Sequence, residues 1–98
     1  MSLMHFLYSP AEIARELGKN AESLRLSKNL SRKTLAEQSG VSESSIKRFE
    51  YTGSITLESM ILLATALDEL TPMMSLFKPS NPSSIDELKN LKRKRGNK

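Results

Sequence analysis

The stretch SRKTLAEQSGVSESSIKRFEYTG (residues 31–53) decides how this chain folds. Ser31 is a favourable cap for RKTLAEQS, and Gly40 ends that run in the manner of a left-handed C-cap. Ser42 caps a second run, ESSIKRFEY, in which Ile46 and Phe49 stand three apart and share one face. Two short helices therefore meet across a tight turn, where Gly40 lets the chain reverse and Val41 fills the angle. Leu35, Ala36, Val41, Ile46 and Phe49 form the inward set, and the small Ala36 lets the two axes approach. Other helical hairpins share this spacing, so it specifies local structure more firmly than function.

Working outward, SPAEI opens an earlier helix with agreeing signals. Ser9 is its cap, Pro10 its first residue, and Glu12 completes a capping box, with Tyr8 and Ile13 at the staple positions. Ile13, Leu17, Ala21 and Leu24 recur at helical spacing and are expected to face inward. Gly18 is either a weak point in this helix or the junction of two shorter ones. Downstream, Thr56 caps LESMILLATAL, the most apolar helix and the expected centre of the core. Thr71-Pro72 opens a last short helix, MMSLF. The count is five helices joined by short links, an all-α bundle with one inward stripe on each. KPSNPSS reads as a linker, and SSIDELKNL beyond it as an isolated two-turn helix that is marginal unless docked. The expected organisation is an apolar leader over residues 1–9, a folded domain over 10–78, and a linker with a basic, largely disordered tail over 79–98. Met4 is a candidate natural start, with Met1–Leu3 an addition.

Ninety-eight residues allow one small core and a tail. The absence of cysteine excludes a disulfide framework and thiolate metal sites, and fits a cytoplasmic protein. No apolar run approaches a bilayer span, and MSLMHFLY lacks the features of a secretion signal. The formal charge is +4, but six of the fifteen Lys and Arg fall in the last ten residues. That leaves a body of nine bases and eleven acids, net −2. Within it, Arg25, Lys28, Arg32, Lys33, Lys47 and Arg48 cluster against only Glu37 and Glu43. A basic patch on a slightly acidic body suggests a polyanion held in one orientation. There is no glycine-rich phosphate loop and no paired catalytic constellation. His5 has no acids at metal-ligand spacing, so no enzyme, metal or cofactor is expected.

LRLSKNLSRKTLAEQSGVSESSIKRFEYTG resembles the Xre/Cro-type helix-turn-helix family, to which the phage repressors belong. The likeness runs on through LESMILLATAL and spans roughly residues 17–70. It implies a compact five-helix bundle of the lambda-repressor-like kind that binds operator DNA as a dimer. The third helix of such a bundle enters the major groove, and its second lies across the backbone. By the same resemblance Arg25 and Glu50 match a bracing ion pair between the first and third helices, and Ser31 and Arg32 match a phosphate-gripping helix start. Lys28 and Lys33 are their natural phosphate neighbours. The third helix is expected to present Glu43, Ser44, Lys47 and Arg48, with Tyr51 a further candidate, while Ser45 packs. Arg48 suits the O6/N7 pair of guanine, and Lys47 fits either a base or a phosphate.

Glu43 departs from a glutamine-rich reading helix. Its simplest role is to complement the dipole in a first helical turn. It also suits the amino group of cytosine, or the orientation of Arg48 or Lys47. The loop in FEYTGSITLES is the second departure and resembles HipB-like antitoxins, which implies a kinase-like toxin as a possible partner. Three roles stand for Lys92, Arg93, Lys94 and Arg95 in the tail: a solubilising end, a loose arm on DNA phosphates, or a segment that folds on a partner protein. MMSLF and the leader HFLY are candidate dimer contacts. The expected function is a dimeric transcriptional repressor that reads DNA through residues 43–51. The alternatives are an antitoxin that represses its operon, and an interaction module that has lost DNA binding.

Overall fold

The computed structural model describes residues 8–79. The leader residues 1–7, SSIDELKNL and the tail bases Lys92–Arg95 lie outside them. Five helices follow in order: α1 Pro10–Ser27, α2 Arg32–Ser39, α3 Glu43–Thr52, α4 Leu57–Ala66 and α5 Leu70–Met74. Among the described residues no helix is long and apolar enough to cross a membrane.

The first four helices start where a hydroxyl is available. The Ser31, Ser42 and Thr56 hydroxyls accept from the N–H three residues on, at 3.0, 3.1 and 3.1 Å. Ser9 accepts from the Glu12 N–H at 3.2 Å, while Glu12 Oε1 accepts from the Ser9 N–H at 3.1 Å. That reciprocal box satisfies two donors that would otherwise be orphaned. The bond from the Ser9 backbone also holds the Glu12 carboxyl below its usual range. Gly40 and Gly53 end α2 and α3 in left-handed conformations, with φ of 82° and 80°.

α1 is one continuous helix of 18 residues, and Gly18 does not divide it. Gly18 is instead the point of closest approach to α3. A Cβ there would stand 2.2 Å from the Phe49 carbonyl oxygen. Gly53 does the same one turn away, where a Cβ would stand 2.3 Å from the Ala14 carbonyl carbon. α1 and α3 thus meet backbone to backbone through two glycines.

The core joins Leu35, Val41, Ile46, Phe49, Leu63 and Leu67, with Ala21, Leu24, Leu30, Ala36, Ile55, Met60 and Ala66 packed against it. Two expectations about it are corrected. The apolar stripe of α1 is only half covered, since Ala21 and Leu24 reach the core but Ile13 and Leu17 stay exposed. Nor is α4 the centre, because α3 buries Ile46, Phe49 and Glu50 while α4 buries far less of itself. Leu63 is the only residue within α4 that is fully buried, and Leu57, Ile61 and Leu62 face out. The final helix begins one residue ahead of Thr71 and stops at Met74, short of Leu76 and Phe77. Of the methionines, Met60 packs on the core, whereas Met74 is exposed.

Candidate nucleic-acid interface

α3 has two unlike sides. Ile46, Phe49 and Glu50 are buried, and Glu43, Ser44, Lys47, Arg48 and Tyr51 are exposed. The helical repeat sorts the exposed set into two rows. Glu43, Lys47 and Tyr51 form one, and Ser44 and Arg48 the other. Glu43 occupies the first turn, where a carboxylate complements the free N–H groups. Ser45 is half-buried, and its hydroxyl accepts from the Ser42 hydroxyl at 2.8 Å.

The carboxylate of Glu50 fixes the helix from behind. It is 3% exposed, and two arginines on two other helices converge on it. Arg25 donates from Nε to Oε2 at 2.8 Å and from Nη2 to Oε1 at 3.1 Å. Its Nη1 donates to the Leu30 carbonyl at 2.7 Å, so a buried guanidinium is engaged on all three nitrogens. Arg32 donates from Nε to Glu50 Oε1 at 2.8 Å and from Nη2 to Glu22 at 3.4 Å. One carboxylate on α3 thereby ties α1 and α2 to the outward-facing helix. A buried pair of this kind fixes orientation more than it adds net stability, because desolvation offsets much of the attraction.

Arg32, expected to meet a phosphate, has partners within the fold. Its guanidinium is committed to Glu50, and that hydrogen bond raises its affinity for the proton above the ordinary value. It also lies over Tyr51, 5.2 Å from the ring centroid. The hydroxyl of Ser31 is likewise engaged, capping α2 and donating to the Thr34 hydroxyl at 3.0 Å. Lys33 is exposed in the first turn of the same helix. Lys28 turns toward the link between α4 and α5, 3.9 Å from Asp68.

Two features have no counterpart in the sequence reading. Lys47 lies 5.9 Å from the centroid of the Tyr51 ring, one turn along the first row. Beside the second row, Arg48 opens into a polar recess of about 220 Å³ with Ser45, Ser54, Ile55, Thr56 and Ser59. The loop forming that recess is held locally. The Thr52 hydroxyl donates to the Arg48 carbonyl at 2.7 Å and accepts from the Ser54 N–H at 3.1 Å. A serine-rich segment just past α3 was the available signal, hidden because hydroxyls there also suit simple caps.

A model of the helix-turn-helix family HTH_3 matches residues 22–72, from the second half of α1 into α5. The chain belongs to this helix-turn-helix family. It is thus a DNA-binding domain of the Xre/Cro type, of the kind that regulates transcription, and not an enzyme. No curated protein matches the chain. Tyr51 and Thr52 are the last helical residues of α3, and Gly53 caps it. Gly53 is needed both for its left-handed φ and for the contact with Ala14.

Proposed function

We propose that this helix-turn-helix domain is a dimeric repressor that occupies promoter DNA, with α3 in the major groove. The observation that carries the reading is the two-sided α3. Its outer face gathers Glu43, Ser44, Lys47 and Arg48, and its inner face is immobilised by Phe49 and the Arg25–Glu50–Arg32 network. A recognition helix has to hold side chains in register with base edges, and a rigid mounting serves that need. Arg48 and Lys47 supply donors for guanine or phosphate, and Lys33 supplies a phosphate contact at the start of α2. Dimerisation is supported by a second surface of the domain. There an apolar groove of about 270 Å³ runs between α1, α4 and α5, with Leu17 and Leu76 exposed on its walls.

Fluorescence anisotropy with the DNA upstream of its own gene tests the proposal. A preferred site and a steep fall in affinity with salt are expected. Equal binding to random DNA at low salt would sink it. Arg48→Ala is expected to relax sequence preference by about 1–3 kcal/mol at one position. Lys33→Ala should weaken all sequences alike. Arg32 is unsuitable for that second comparison, because its replacement also disturbs Glu50.

A further inference from the structure

The inference rests on the DNA-facing role proposed for α3. We infer that Tyr51 is a positioning residue that holds Lys47 ready for DNA, and that the Glu50–Arg32 pair holds Tyr51 in turn.

Tyr51 is 59% exposed in the last turn of a helix whose inner face is already filled by Ile46 and Phe49. It is therefore not there to fill the core. Its ring instead meets two cations from two helices. The Arg32 guanidinium lies 5.2 Å from the centroid, and the Lys47 ammonium 5.9 Å from it. Both fall within the range in which a ring quadrupole attracts a cation. Two cations beside one ring would ordinarily repel each other. Here the Arg32 charge is offset by the buried Glu50 carboxylate at 2.8 Å and by Glu22 at 3.4 Å. The ring thus has an anchored arginine on it and can still take Lys47, which has no ion-pair partner among the described residues.

A contact series follows, from the buried carboxylate through Arg32 and Tyr51 to the exposed amine of Lys47. The consequence lies in entropy. A free lysine on a helix surface samples many rotamers and loses that freedom when it docks on a phosphate or a base. Lys47 resting on Tyr51, at the favourable spacing of four residues, has lost part of it beforehand.

The experiment uses the full chain with Tyr51→Leu, Tyr51→Phe, Lys47→Ala and the double variant Tyr51→Leu/Lys47→Ala. In the free protein, NMR should show the Lys47 side-chain methylene protons shifted upfield by the ring. That shift should be lost in Tyr51→Leu and kept in Tyr51→Phe. On the preferred DNA site, Tyr51→Leu should weaken binding by about two- to fivefold, the scale of an exposed cation–π contact. Tyr51→Phe should bind as the wild type does. With Lys47→Ala in place, Tyr51→Leu should cost nothing further. A full loss that persists without Lys47 would make Tyr51 a direct DNA contact or a purely structural residue, and would overturn the inference. Unchanged Lys47 protons in Tyr51→Leu would overturn it whatever the DNA result. Absence of any preferred DNA in the wild type would instead remove the repressor reading by itself.

Discussion

At the contact between α1 and α3, two glycines bring backbones together and a buried carboxylate receives three hydrogen bonds from two arginines. Along α5 and the residues just after it, Met74, Leu76 and Phe77 are all more than half exposed. The first region leaves nothing to adjust, and the second leaves apolar surface in water. That division suits a domain that must hold one helix rigidly while keeping another surface for assembly. An exposed apolar patch on a small protein usually marks an interaction site.

The comparison is broken most directly at Glu50. Glu50→Ala leaves Arg25 buried, with only the Leu30 carbonyl to accept from it. Removing one partner of such a pair costs about 3–5 kcal/mol, mostly from the stranded charge. Urea denaturation of the variant should show a loss of that order. Removing both charges, in Arg25→Met/Glu50→Leu, should cost less than the single change, because no ion is left unpaired. A loss under about 1 kcal/mol in Glu50→Ala would mean that the network is not what mounts α3.

The glycines give the next effect, and they separate two reasons for being glycine. In an exposed helix interior, glycine to alanine gains roughly 0.5–1 kcal/mol. At Gly18 the sign should reverse, since the new Cβ would press on the Phe49 carbonyl and force α1 away from α3. A loss of about 1–3 kcal/mol is expected, the usual cost of overpacking. Gly40 has open space around it, so Gly40→Ala meets only its φ of 82°. That strain is about 1–2 kcal/mol. Thermal unfolding of the two variants decides the matter: stabilisation by Gly18→Ala would show that the close approach does not govern the junction.

These residues also show what could be read from the sequence. The caps at Ser9, Ser31, Ser42 and Thr56 were legible because a cap and the N–H that it accepts are three residues apart. The helix-turn-helix was legible for a similar reason, since Gly40, Val41 and Ile46 belong to one local turn. Gly18 was not, because its meaning depends on α3 arriving some thirty residues later in the chain. α4 was misplaced at the centre because LESMILLATAL is apolar on nearly every side and offers no face to choose. Arg32 illustrates a third limit. A guanidinium at a helix start fits a phosphate and a buried carboxylate equally well, and only the fold shows that Glu50 lies within its reach. The exposed set on α3 followed from the inward set, because Ile46 and Phe49 leave few other positions free.

The smallest effect tests the second region. Leu76 is 61% exposed on the wall of the apolar groove, so in a dilute monomer it contributes little to folding. Leu76→Gln should shift stability by no more than about 0.5 kcal/mol there, as surface changes usually do. The informative quantity is its dependence on concentration. If this surface carries the dimer, the melting temperature of the wild type should rise with protein concentration, because association favours the folded state by mass action. In Leu76→Gln that rise should flatten, and sedimentation equilibrium should show weaker self-association. A variant that associates as well as the wild type would move the dimer contact elsewhere. A variant that unfolds by more than 1 kcal/mol as a monomer would show that Leu76 belongs to the core after all. In that case the contrast between a closed α1–α3 contact and an open surface along α5 would be lost at that residue.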